Sequence, residues 1–143
     1  MDIKQISVFL ENKPGALNEM TQVLADKGIN LRALSLAETT DFGIARFIVD
    51  DVLETMNILK EAGFIASLTP VVAAEVADEP GSLNRLLSIF SQADINLEYM
   101  YAFIGAKTGK AYMIIRVPNT MTATGALVAN GIRTIGQEDL AEL

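Results

Sequence analysis

Two short stretches hold the residues best suited to chemistry. LENKPGAL runs from Leu10 to Leu17 and VADEPGSL from Val76 to Leu83, so one Pro-Gly turn occurs twice, 66 residues apart. Each turn leads into a run with apolar residues at helical spacing. Glycine lets a backbone approach a ligand closely. A helix N-terminus offers free N–H groups and a positive dipole end, both suited to a carboxylate. Pro14, Gly15, Ala16 and Leu17, and again Pro80, Gly81, Ser82 and Leu83, are therefore candidate carboxylate cradles. A second set flanks each helix: Asn12 and Asn30 in the first copy, Asp78 and Asn96 in the second. Their oxygens are acceptors for an ammonium group. Together the two sets fit a free α-amino acid. The ends of a helix of ~12 residues lie ~18 Å apart, so one copy does not close both on one ligand. Two copies edge to edge would, with Asn12 facing Asn96 or Asp78 facing Asn30.

Composition narrows the chemistry further. The 143 residues contain no Cys and no His. That removes thiol nucleophiles, disulfides, imidazole bases and most zinc or copper sites. No nucleophile–base pair stands out, so no catalytic residue, metal or cofactor is expected. A net charge of −7 disfavours nucleic acid and anionic membrane as partners. No apolar run reaches the ~18 residues of a membrane span, and the first residues lack a signal-peptide pattern. A cytoplasmic protein is the expectation.

The elements that position the turns follow from the repeat. Ile6, Val8 and Leu10 align with Val72, Ala74 and Val76, and Ile29, Asn30 and Leu31 with Ile95, Asn96 and Leu97. Alternation over Ile6–Leu10 predicts a strand. Leu17, Met20, Val23 and Leu24 mark one face of a helix, and Gly28 ends it. Strands follow over Leu31–Glu38 and Gly43–Val49, joined by the turn Thr39-Thr40-Asp41. Asp50 or Asp51 caps a second helix, and Phe64–Leu68 is a last strand. The order is β-α-β-β-α-β, repeated from Val71. The expected fold class is α+β: two ferredoxin-like domains, residues 1–69 and 70–143, each an antiparallel sheet with both helices on one face. The last helix is poor, because Thr120–Ala129 carries Thr122, Thr124 and Gly125.

This fold hosts unrelated functions, so sites must decide. RNA-binding versions need basic charge beside sheet aromatics such as Tyr99, Tyr101 and Phe103. Acylphosphate-hydrolysing versions need an arginine in the first loop, where this chain has Lys13, and Asp78 with Glu79 in the second copy. A small-molecule binder remains.

ENKPGAL…ADKGINLRAL and ADEPGSL…SQADINLEYM resemble the ACT domain, an amino-acid-sensing regulatory module. The resemblance spans the chain as a tandem pair with no catalytic domain attached. It implies that Asn12, Asn30 and Asn96 hold the ligand across a domain pair, and that a separate, unidentified protein is regulated. Copy two departs at Asp78 and at Asp94, which replaces Gly28. Leu10 stands where serine-sensing members carry a histidine. The alternative is an interaction module that keeps the fold without the ligand.

Assembly is read from the sheet face without helices. Phe9, Ile44, Ile48, Tyr112 and Ile114 are expected on it, and a face this apolar predicts a homodimer packed sheet on sheet. The alternative is a monomer whose two copies cover each other.

Overall fold

A computed structural model describes residues 2–143. The chain divides into two units, Lys4–Thr69 and Pro70–Leu143, the latter taken with the residues that precede Lys4.

The first unit is built from β1 (Ile3–Glu11), α1 (Ala16–Asp26), β2 (Ala33–Glu38), β3 (Phe42–Ile48), α2 (Val52–Glu61) and the start of β4 (Ile65–Ala77). β3 lies antiparallel to β1, with Ile6 opposite Phe47 and Leu10 opposite Gly43, and antiparallel to β2, with Leu36 opposite Ala45. The alternating set Ile6, Val8 and Leu10 packs with Met20 and Leu24 of α1, Leu59 of α2 and Phe47. Asp51, not Asp50, caps α2, accepting from the Glu54 N–H at 3.0 Å. Asp50 instead accepts two hydrogen bonds from Arg32, both 2.9 Å. The Thr39 turn closes on itself, the Thr39 N–H reaching the Phe42 carbonyl at 2.7 Å.

The strand expected over Phe64–Leu68 and the one expected from Val71 are a single element, β4, 13 residues long. Pro70 does not interrupt it. Proline's fixed φ suits extended backbone and only its N–H is lost, while its carbonyl accepts from Arg116 Nη1 at 2.9 Å.

The second unit continues through α3 (Ser82–Gln92), β5 (Tyr99–Ala102), β6 (Lys110–Arg116), α4 (Thr120–Ala129) and β7 (Arg133–Ile135). β6 pairs antiparallel with β4 and with β5, and β7 pairs with β4, placing Glu75 opposite both Tyr112 and Arg133. Leu86, Ile89 and Phe90 of α3 and Ala123 and Leu127 of α4 form the core with Val72, Ala74 and Ile115. The predicted weakness of α4 is overridden by its surroundings. Asn119 caps it, accepting from the Thr122 N–H at 3.1 Å, and Ala123 and Leu127 are fully buried. Tertiary burial outweighs intrinsic propensity here. Both units thus share the β-α-β-β-α-β order with antiparallel sheets, the expected α+β class.

The expected outward face needs correction. Ile48, Tyr112 and Ile114 are 0%, 1% and 0% exposed within the chain, so they are not surface residues. In the second unit the Phe103 ring lies 5.6 Å from that of Tyr112. Past β7 the chain adds a 3-10 turn, Gln137–Glu142, whose Leu140 is fully buried. Strand alternation reports the direction of a side chain and not what later folds over it. Phe9 remains half exposed, and with Ile44 it lines an apolar groove completed by Ala37, Phe42 and Ile65.

Candidate functional site

The two Pro-Gly turns share one backbone. Gly15 has φ 86° and Gly81 φ 91°, each immediately before its helix. A side chain is strained in this left-handed region, and glycine is not. Ala16 N–H reaches the Lys13 carbonyl and Ser82 N–H the Glu79 carbonyl, both at 3.3 Å. Neither helix has a side-chain cap. The N–H groups of Gly15, Leu17 and Asn18 therefore make no hydrogen bond among the described residues, nor do those of Gly81, Leu83 and Asn84. Each helix head is an open set of donors aimed at solvent.

The surroundings of the two heads differ. In the first unit a cleft of about 320 Å³ is floored by Leu10, Ala16, Leu17 and Leu36 and rimmed by Asn12, Lys13 and Glu38. Asn12 Nδ2 donates to the carbonyls of Thr39 at 3.0 Å and Thr40 at 3.4 Å, and to Glu38 Oε2 at 3.3 Å. The amide is thereby oriented, and Oδ1 is left as an acceptor. Lys13 pairs with Glu11 at 3.2 Å. Of the residues singled out in the first copy, Asn12, Ala16 and Leu17 share this cleft, with Pro14 and Gly15 shaping its turn. Asn30 lies beyond the far end of α1 and does not line it.

Glu38 lines this candidate cleft and is not among the residues that the sequence singles out. The repeat could not flag it, because the 66-residue offset places Ile104 at the same register. Its only signal was an acid immediately before the Thr39-Thr40-Asp41 turn.

In the second unit Asp78 anchors the turn, its N–H donating to the Gly109 carbonyl at 3.0 Å. A cavity of about 290 Å³ opens beside the α3 head, lined by Glu75, Glu79, Ser82, Arg85, Lys110 and Arg133 among others. Asp78 is not among its lining residues. Glu75 pairs with Arg133 at 2.7 Å and with Lys110 at 3.7 Å. The Tyr112 hydroxyl below is buried and makes no hydrogen bond of ordinary geometry among the described residues, although the Glu75 carboxylate lies close enough to act on it. Burial, then the Glu75 charge, raises its pKa above the ordinary phenol value. Asn96 lies at the other end of α3, in a separate hollow with Phe90, Asp94 and Leu97. Asp94 there has φ 56°, the left-handed backbone that Gly28 adopts with φ 71° in the first unit.

No group of three or more His, Cys, Asp or Glu side chains gathers as a metal site among the described residues. No described helix is long and apolar enough to cross a membrane.

Comparison with known proteins bears on the whole chain. The family model for the ACT domain pair matches residues 1–143. A crystal structure of a protein from Bacteroides thetaiotaomicron is similar, with 38% identity and a TM-score of 0.92, covering 100% of this chain and 98% of that one. The ligand-free regulatory subunit of aspartate kinase from Thermus thermophilus is similar in fold, with a TM-score of 0.65 at 18% identity, covering 90% of this chain and 91% of that one. The corresponding subunit from Thermus flavus gives a TM-score of 0.62 at 18% identity, over 90% of this chain and 92% of that one. No curated protein matches.

Proposed function

This chain belongs to the ACT domain pair family, and on that premise we propose that it is a non-catalytic regulatory protein that binds a free L-amino acid at the head of α1. One observation carries the reading: the first-unit cleft combines both poles an amino acid requires. The unpaired N–H groups of Leu17 and its neighbours receive the carboxylate, and the helix dipole adds to them. Asn12 Oδ1 and the Glu38 carboxylate receive the ammonium. The apolar floor of Leu10 and Leu36 accommodates a side chain. Asn96 joining Asn12 on the same ligand is part of the proposal, as are the Gly81–Leu83 head and the Asp78–Asn30 pair as a second, weaker cradle.

The test is calorimetric titration of the protein against the standard L-amino acids, followed by Asn12→Ala and Asn96→Ala. Loss of one hydrogen bond to a charged group costs ~1.5–3 kcal/mol, or about 10- to 150-fold in affinity. Unchanged affinity for the best ligand in both variants would remove this site.

The protein acts, in this proposal, in the cytoplasm and on a separate protein, with no cofactor, nucleic acid or membrane involved. It does so as a homodimer centred on the Phe9 and Ile44 groove. Light scattering at micromolar concentration should give twice the 15.4 kDa chain mass, falling to a single chain on Phe42→Asp.

A second reading has one observation in its favour. The Asn12 amide already ties the β2–β3 turn through Thr39 and Thr40. An interaction module without a ligand would keep that tie. Asn12→Ala would then lower thermal stability, and no amino acid would bind the parent protein.

A further inference from the structure

The last helix ends on a dipeptide with a reactivity of its own. Among the asparagines of the chain, only Asn130 is followed by glycine. An asparagine side chain is open to attack by the backbone nitrogen of the next residue, and glycine has no side chain to shield that nitrogen. Both residues are exposed. Asn130 is the C-cap of α4, and Gly131 follows with φ 78°. Gly131 N–H reaches the Val128 carbonyl at 3.1 Å and Ile132 N–H the Leu127 carbonyl at 2.9 Å, the two bonds of a Schellman end. Asn130 Nδ2 donates to the Ala126 carbonyl at 2.8 Å, and the Asn130 carbonyl accepts from Arg85 Nη2 at 2.7 Å. The first unit repeats this backbone at Ala62 and Gly63, where Gly63 has φ 89° and its N–H reaches the Lys60 carbonyl at 3.0 Å. Only the second copy places a side-chain amide there.

We propose that Asn130–Gly131 is a deamidation site whose rate is set by the α4 cap. The step balances with water as the one co-reactant. The Gly131 nitrogen gives up its proton to hydroxide and bonds to Asn130 Cγ. The Cγ–Nδ2 bond breaks, and Nδ2 leaves as ammonia with a proton from water, so that a five-membered succinimide remains. Water then adds to either ring carbonyl and opens it to aspartate or isoaspartate. In the closed cap ψ of Asn130 is 13°, which turns the Gly131 nitrogen away from Cγ. Both reacting nitrogens are also held by hydrogen bonds. Reaction therefore waits for the last turn of α4 to fray. That turn is weakly held: of residues 126–129 only Leu127 is buried, and Val128 is 59% exposed. A β-branched residue there also lowers helix propensity. The product does not restore the cap. A carboxylate has no donor for the Ala126 carbonyl, and it adds charge at the negative end of the helix. Isoaspartate further lengthens the main chain by a methylene. Deamidation thus loosens α4 and leaves the end of α2 intact, an ageing reaction confined to the second unit.

The test incubates the intact chain at mildly alkaline pH beside a sample held unfolded in urea, and peptide mass mapping follows every asparagine. Asn130 should convert first, to two products of equal mass. In the folded chain it should react about 10- to 100-fold more slowly than in urea, as expected for opening one turn. A route through global unfolding would be slower by several thousand-fold or more. Val128→Ala, which strengthens the last turn, should slow the folded reaction about 2- to 3-fold and leave the rate in urea unchanged. Ala62→Asn, at an exposed position, should create a second reactive site at the end of α2. In the converted protein, amide exchange should quicken over residues 127–132 and stay unchanged over residues 59–64. The inference fails if Asn130 stays intact in the folded chain while the urea sample converts. It also fails if another asparagine reacts earlier, or if Val128→Ala leaves the folded rate unchanged.

Discussion

The heads of α1 and α3 have one backbone and two chemistries. At Gly15 and Gly81 the φ values agree within 5°, and in each turn the N–H after the glycine closes on a carbonyl at 3.3 Å. Around α1 the rim is Asn12, Glu38 and an internally paired Lys13. Around α3 it is Arg85, Glu79 and the Glu75 cluster. Duplication has kept what the turn needs and released what touches solvent. The shared backbone is a requirement of helix entry, whereas rim charges cost little stability when they change. A donor set at a helix head is thus a general anion seat, and its neighbours decide which molecule uses it.

Several substitutions break or sharpen that contrast. The largest effect is expected from Glu38→Gln, which should cost the first-unit amino acid about 10- to 150-fold in affinity by calorimetry and leave the second-unit cavity untouched. Equal loss at both cavities would show that the two heads do not act separately. Next come the turn glycines. Gly15→Ala and Gly81→Ala each place a side chain at positive φ, at a cost of ~1–2 kcal/mol. Denaturant unfolding should show similar losses, since no heavy atom lies within 4 Å of the added Cβ at either site. A large asymmetry would mean that the turns are not equivalent.

Tyr112 supplies a smaller difference, because the 68-residue offset places Ile44 at its register in the first unit. Removing a buried hydroxyl that makes no hydrogen bond of ordinary geometry among the described residues avoids a desolvation penalty, so Tyr112→Phe should raise stability by ~1 kcal/mol. The pH dependence has a definite sign. The folded pKa is raised, so stability is fully present below the ordinary phenol range and is lost as pH climbs through it, where the unfolded chain ionises first. Urea midpoints between pH 8 and 11 should fall in the parent protein and fall less in Tyr112→Phe. The smallest effect is at the helix exits. Asp94→Gly should gain up to ~1 kcal/mol and Gly28→Asp should lose a similar amount, read as opposite shifts in thermal midpoint.

Periodicity and repetition made the fold legible, and they did so through particular residues. Ile6, Val8 and Leu10, and the Leu17–Leu24 face, announce their elements because each buries one side. The turns were legible because glycine at positive φ has few substitutes. Other features were hidden for physical reasons. Asn119 and the burial of Ala123 and Leu127 rescue α4 through contacts made by distant chain. The single strand β4 conceals its continuity behind Pro70. The candidate site was half legible. Asn12, Ala16 and Leu17 were legible because they flank a turn that repeats, and Glu38, Arg85 and Arg133 were not, because the copies diverge at their positions. A repeat reveals shared scaffold and masks individual function.

Asp2 accepts a hydrogen bond from Thr120 Oγ1 at 2.8 Å. The contact spans 118 residues of sequence, and Ile3 beside it is fully buried. A ribosome delivers the first of these residues long before the last. Asp2 and Ile3 must therefore wait, unburied, at least until Thr120 has been made before the second unit closes on them. Loop closure over such a span is slow relative to local pairing, so residues 4–69 have time to organise first. Deleting residues 1–3 should leave that early step intact and impair the late one.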